Sequence, residues 1–397
     1  MGFSFQRAHL DGAAPGASVA ELVANLGAAA PEGEGAKLIV TFASPKQDLA
    51  ALTAAASAAH PGAVVVGASS AGEFTEAGDA RGSAAAVAIG GDIKVFAGMG
   101  RGLSRGPQRA VAEALEGLPR VVPGYPHALA LLLVDALAGN GEEAALLVSD
   151  ALGDGFVLAG GAAGDDLAMK AAPVALGGAA EADALVVVTL FSKEPVGIGV
   201  AHGHRPLSPP MRVTRAEGNV VFEVDGKPAW TVWREAVRTS AAAAGYDVDN
   251  LTGEQCGALL LRYEAGISTG DAYKIRAPLR IEAGGALRFA SAVPEGTELQ
   301  ITESEDSRQV ESAVRAAETA RRALGGAPIA GALVFDCVCR RLILQRRFRE
   351  AIGGMSAALG GAPLAGFETY GEIALGPDDM SGFHNTTSVV VAFPGRP

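Results

Sequence analysis

The sequence predicts an α/β protein with mixed sheets, built from three strand–helix–strand–turn–strand repeats in two closely packed lobes. Three observations carry this reading. An apolar run that ends in a Gly-rich turn and an acid occurs three times: residues 62–74 reach Gly72 and Glu73, residues 157–165 reach Gly164 and Asp165, and residues 363–372 reach Gly371 and Glu372. Each turn is preceded by an apolar strand (38–43, 129–134, 332–335) and a helix-like span, and followed by a further strand (84–89, 184–190, 387–393). The spacing recurs as well: Leu38 stands as far from Gly67 as Leu131 does from Gly160, and the third copy is slightly longer. Self-similarity of this kind marks a repeat architecture. Each connection is long enough for a right-handed crossover between parallel strands.

The elements follow in order. Residues 1–35 read as a leader with a helix over 18–26, where Ser18 and Glu21 form a capping box. Residues 36–235 and 236–397 read as two domains. In the first copy Ser44, Pro45 and Gln47 predict a helix start, and Asn140 with Glu143 repeats the relation in the second. A strand over 93–99 and an amphipathic helix over 108–118 separate these copies. Strands over 196–201, 211–215 and 220–224 come next, with a tight turn at Asp225-Gly226. A helix over 227–244 carries Trp230 and Trp233 as core anchors. After a boundary at 246–255, short strands are expected over 259–263, 273–275, 279–282, 287–293 and 299–302. A charged helix over 306–324, with Glu311/Arg315 and Glu318/Arg322 four apart, leads into the third copy.

Composition excludes several classes. Lys and Arg total 32 against 44 Asp and Glu, a net charge of −12, and no basic run is present. Nucleic acid and anionic membrane surfaces are therefore poor partners. Three cysteines, Cys256, Cys337 and Cys339, are an odd number in a long chain, so reduced thiols are expected rather than a disulfide framework. The Cys337-Val338-Cys339 pair lacks a second pair for a closed zinc site. His202-Gly203-His204 places two imidazoles on one strand face without an evident third ligand. No metal or cofactor is expected. The N-terminus has no secretory apolar segment and no apolar run is long enough for a span, so a cytoplasmic protein is expected.

The motifs at 67–73 (GASSAGE), 160–166 (GGAAGDD), 216–219 (AEGN), 225–228 (DGKP), Phe335 with Cys337, 369–373 (TYGEI) and Phe383-His384-Asn385 with Thr387 stand in the order of a known family. The chain resembles FIST domain proteins (F-box and intracellular signal transduction), with a FIST N-like first domain and a FIST C-like second. His204 and Cys339 depart from the family pattern, which has Trp and Gly there. The resemblance implies a cytoplasmic sensory module that binds small ligands such as amino acids. It also implies output through a separate signalling protein, since the chain offers no room for an output segment.

The Gly-rich turns themselves suggest where a ligand binds. Ser69, Ser70 and Glu73 lie in a turn whose backbone N–H groups suit an anion. Asp165 and Asp166 suit an ammonium. Tyr370 beside Glu372 makes a clamp, and His384 with Asn385 adds donors and acceptors. Turns at the carboxyl ends of equivalent strands are expected to share a cavity. Cys337, with Arg340 and Arg341 close in sequence, is expected to be the most reactive thiol. The reading favours a sensory protein for amino acids or small carboxylates over an enzyme. Two alternatives stay open: a Ser/Lys hydrolase of cyclic amides using Ser69 or Ser70 with Lys37, and a protein-interaction scaffold.

Overall fold

Apolar runs without polar alternation belong to strands buried on both faces. Leu38–Ala43, His127–Asp135 and Ile329–Cys337 are such runs, and each is buried over most of its length. Each pairs in parallel with the second strand of its repeat: Val64–Ser69, Phe156–Ala163 and Leu364–Thr369. The crossovers are helices, Leu49–Ala59, Gly141–Leu152, and Val338–Leu344 continued by Phe348–Ala358. The last strand of each repeat (Ala84–Gly90, Ala184–Ser192, Thr387–Pro394) returns antiparallel to the first. These coordinates are a computed structural model that describes residues 2–10, 26, 35–269, 273–375 and 382–396. Of the helix expected over 18–26 only Leu26 is among the described residues, and most of the 31–35 linker lies outside them.

Three six-stranded sheets result, with one order in common. An edge strand comes first: Ser4–Leu10, Ile93–Arg101 or Gly197–His202. The last, first and second strands of the repeat follow. A hairpin from another repeat then completes the sheet. Glu73–Thr75 and Gly78–Ala80 of the first repeat complete the third sheet. Val174–Leu176 and Ala179–Glu181 of the second complete the first, and Glu372–Leu375 with Phe383–His384 of the third complete the second. The exchange closes on itself. Ser4–Leu10 falls in the expected leader; polar Gln6, Arg7 and His9 interrupt its apolar pattern and hide the strand.

The inner faces of the three sheets share one core. Phe42 stacks on Phe367 at 4.4 Å and meets Phe335 edge-on at 6.3 Å, with Leu131, Val188 and Val389 in the same cluster. Helices cover each outer face with a separate cluster. Small residues set the approach: a Cβ at Gly100 would lie 1.7 Å from the carbonyl oxygen of Ala110 on the covering helix Pro107–Leu115.

A second lobe is inserted between Gly197–His202 and the helix Asp306–Ala323. It has a nine-stranded sheet over residues 204–304 and its own core around fully buried Trp233, whose Nε1 donates to the Tyr263 carbonyl at 2.9 Å. Its helix Ala229–Ala243 runs through position 235, where the sequence suggested a domain boundary. Asp225 and Gly226, both with positive φ (49° and 74°), make the expected tight turn. The strand expected over 259–263 is instead mostly part of the helix Gly253–Arg262, started by a Thr252–Gln255 capping box. The first-repeat helix is capped by Asp48, which accepts from Ala51 N, and not by Ser44. Asn140 does occupy an N-cap, but its amide donates to the Leu103 carbonyl at 3.0 Å. Glu318 and Arg322 pair at 3.7 Å, whereas Arg315 donates to the His202 carbonyl. The lobes are tied by Lys274 and Arg276, which reach Glu142 at 2.7 and 2.6 Å.

Candidate functional site

The three Gly-rich turns meet. Gly164 N donates to Ser69 O and Asp166 N to Ser70 O; Ala71 N donates to Glu368 O, and Glu368 N to Gly72 O. Tyr370 N donates to Ala162 O, and Ala162 N to Gly371 O. The first turn's amides, which the sequence offered to an anion, are engaged: Ser69 N by Pro173 O, Ser70 N by Ala43 O and Ala71 N by Glu368 O. Each turn serves as part of its neighbour's frame.

The side chains separate into an inner and an outer set. Ser70, Glu73 and Glu372 are fully buried. Ser70 and Ser83 both donate to Glu73, and burial pushes its carboxyl up to about 8 against the pull of these hydroxyls. Glu372 accepts from Thr369 and from Thr387 N, and burial likewise raises it well above the carboxylate range. Burial thus favours the protonated form of both acids, each hydrogen-bonded inside the core.

Asp165 begins a strap that runs to residue 171. Its carboxylate accepts from the amides of Met169, Lys170 and Ala171 at 2.9, 2.5 and 3.1 Å, and from Tyr370 Oη at 2.7 Å. Burial opposes the charge, but these donors hold Asp165 below its ordinary value. Tyr370 Oη also accepts from Leu167 N at 2.7 Å, and burial, then the neighbouring carboxylate, raises the phenol. Asp166, Leu167 and Met169 all have positive φ, which side chains bearing a Cβ adopt at a cost.

Two cavities flank this strap. The more polar of the two, about 290 Å³, lies at the carboxyl ends of Leu38–Ala43 and Val64–Ser69, against the first turn of the helix Leu49–Ala59. Ser44, Gln47, Asp48, Leu49, Ser69 and Pro173 contribute to its wall. Ser69 Oγ is buried without a partner. Asp166 accepts from Ser44 Oγ through Oδ2 at 2.7 Å, while its Oδ1 is buried and unpartnered. Buried polar atoms are nearly always satisfied, so the orphan in the cavity wall, Ser69 Oγ, and the one bonded through Ser44 to that wall, Asp166 Oδ1, stand out. The other cavity, about 270 Å³, is largely apolar and lies where the inserted lobe meets the repeats. Leu167, Met169, Leu261, Leu279, Tyr370 and Asn385 are among its lining.

The expected residues are therefore distributed. Ser69 borders the polar cavity, with Asp166 tied to its wall; Tyr370 and Asn385 border the apolar one. Asn385 is held by the His384 carbonyl at 3.0 Å and by Ala277 N at 3.4 Å, and His384 Nε2 lies 3.1 Å from the Ala374 carbonyl. Most of the 376–382 loop before them is outside the described residues. Sequence reasoning missed Ser44 as a wall residue, because its place before a helix read as a cap.

Cys337, which the sequence offers as the most reactive thiol, is buried at the end of the strand Ile329–Cys337, and burial raises its thiol well above the ordinary value. The nearby cations point elsewhere. Arg340 is fully buried on Asp336 and Gln309, and Arg341 reaches Asp79 at 3.0 Å.

Residues 37–227 match the FIST N domain and residues 229–375 the FIST C domain. The chain belongs to the FIST family. FIST domains are sensory domains of signal transduction. In this FIST protein the polar cavity lies wholly in the FIST N part, whereas the apolar one draws on both parts and on Asn385 beyond them. Two uncharacterized proteins of Mycobacterium tuberculosis, from two strains, are each 31% identical over 211 residues, 52% of this chain and 54% of their own length. The chain thus spans about half the length of the curated relatives it matches. No helix among the described residues is long and apolar enough to cross a membrane.

Proposed function

We propose that this FIST protein is a cytoplasmic small-ligand sensor that recognises an amino acid or small carboxylate in the polar cavity and signals through a separate partner protein. The observation that carries the reading is Ser69 Oγ, buried and unpartnered in the wall of that cavity, together with the unpartnered Oδ1 of Asp166, whose other oxygen is bonded to the wall residue Ser44. A carboxylate is suited to the Ser69 hydroxyl and to the amides of Leu49 and Ala50 at the start of the helix Leu49–Ala59, next to the Ala51 amide that Asp48 takes. An ammonium group is suited to Asp166. Leu49, Ala50 and Pro173 offer apolar surface to a short side chain.

Distance weighs against the hydrolase alternative. Lys37 lies at the start of the strand Leu38–Ala43, its carbonyl bonded to Val64 N, whereas Ser69 and Ser70 lie beyond the opposite end. A strand of that length separates them by roughly 16–20 Å, too far for a Ser–Lys proton transfer. The scaffold alternative has a narrower basis: Leu167, Met169 and Leu279 are exposed, but they cluster at the mouth of the apolar cavity.

The test is a thermal-shift screen of amino acids and small carboxylates, followed by calorimetry on Ser69→Ala and Asp166→Asn. Each lost charged hydrogen bond contributes about 1.5–3 kcal/mol, so both variants should bind about ten-fold or more weakly. A ligand that binds both variants as tightly as the parent protein would place recognition elsewhere.

A further inference from the structure

Ligand recognition in the polar cavity leaves the apolar one, about 270 Å³, without a role. It opens where the helix Gly253–Arg262 and the strand Pro278–Ile281 of the inserted lobe face the helix Val338–Leu344 and the strap of the repeats. Among the described residues its wall carries no Asp, Glu, Lys, Arg or His. Leu, Ala, Pro, Val and Gly make up most of it, and the Cys and Met side chains pack as polarizable apolar groups. An apolar hollow between domains with a few fixed polar groups is the usual setting of a small-molecule site.

Two polar side chains reach this wall, and they differ. Tyr370 Oη is held between Asp165 and Leu167 N. Asn385 Nδ2 donates to the His384 carbonyl at 3.0 Å, but its Oδ1 accepts only at long range, from Ala277 N at 3.4 Å and Ser291 Oγ at 3.5 Å. Bonds at that distance are weak, so this oxygen has capacity for a guest that donates. The mouth adds an independent observation. Leu167 and Met169 stand there 40% and 59% exposed, both with positive φ (65° and 53°). The left-handed backbone and the hydrated apolar side chain each cost free energy. Leu279, 44% exposed, extends the same rim. An apolar guest that covers this rim recovers the hydration cost.

We infer that the apolar cavity is a second binding site, for a small uncharged aliphatic molecule that carries one hydroxyl. Its hydrocarbon lies against the apolar wall and beneath Leu167, Met169 and Leu279, and its hydroxyl donates to Asn385 Oδ1. A charged headgroup is rejected because no group on the wall replaces the water it would lose. The space is sufficient, since a dry cavity of about 150 Å³ in a protein core holds benzene.

The experiment is calorimetric titration of the full chain with hexanol, octanol and octanoate. Octanol should bind once per chain, about ten-fold more tightly than hexanol, because each buried methylene favours binding by about four-fold. Octanoate, of the same length but charged, should bind at least about ten-fold more weakly than octanol. Gly257 lines the cavity and an added Cβ there meets nothing within 4 Å, so Gly257→Leu occupies the space without a clash and should weaken octanol about ten-fold or more. Leu279→Glu sets a charge on the exposed rim and should act in the same direction. Circular dichroism and melting curves establish that both variants are folded. Ser69→Ala should bind octanol as the parent does, so this site and the polar one can fail separately. The proposal is overturned if octanol shows no saturable binding, if octanoate binds as tightly as octanol, or if neither folded cavity variant weakens octanol.

Discussion

Glu73 gives a quantitative handle on the core. Its side chain is fully buried and accepts from Ser70 and Ser83, and burial raises its carboxyl from 4.5 to about 8. Between those values the folded chain keeps a proton that the unfolded chain has released. Stability from this group is therefore fully present below about pH 4.5 and is lost as pH rises through about 8. The loss is about 1.4 kcal/mol for each pH unit, about 5 kcal/mol in all. Glu73→Gln places an uncharged group of the same shape between the two hydroxyls, which rotate to donate or accept. The variant should match the parent near pH 4.5 and exceed it by about 3 kcal/mol near pH 7. The assay is urea unfolding of both proteins across about pH 5 to about pH 8, with the slope m compared to establish that the unfolding reaction is the same. Subtracting one curve from the other cancels the other buried acids, including Glu368 and Glu372. Two parallel curves, or a variant less stable at every pH, would refute the reasoning, since either means that Glu73 is not a neutral acid in the fold.

Two further perturbations test the frame around the cavities. Tyr370→Phe removes the hydroxyl that joins Asp165 to Leu167 N and should cost about 1–3 kcal/mol, with hydrogen exchange rising first in residues 165–171; unchanged exchange there would show that the strap holds without it. Gly257→Ala, in a helix where an added Cβ meets nothing within 4 Å, should stabilise by about 0.5–1 kcal/mol, whereas Gly100→Ala drives a Cβ into the Ala110 carbonyl and should sharply lower the melting temperature.

Much of the three-repeat body was legible because its strands are buried on both faces and so lack alternation. Leu38–Ala43, Ala184–Ser192 and Thr387–Pro394 could be read directly from their apolar runs. The exchanged hairpins could not. Glu73–Thr75 and Gly78–Ala80 are three residues each, too short to carry a period, and nothing local says that they complete a sheet nearly the whole chain away. The site was legible in the same uneven way. Sequence located Ser69 and Asp166 in special turns, but it could not tell that the Ser69 amide is taken by the Pro173 carbonyl and the Ala71 amide by the Glu368 carbonyl, both from other repeats. Around Cys337, adjacency in sequence is not pairing in space: Arg340 turns back onto Asp336 at 2.9 Å, a partner the sequence alone does not single out.

The circular loan of hairpins has a consequence for how the chain is made. On a ribosome the first repeat emerges long before its neighbours, yet its sheet lacks a flank until Val174–Glu181 has been synthesised. The second waits for residues 372–384, and the hairpin at 73–80 has no host until the third repeat appears. Each nascent repeat therefore carries unpaired strand edges, the feature that invites association with other chains. Dependence on holdase protection during translation, and intolerance of truncation near the C-terminus, follow from a sheet order that only the final strands can close.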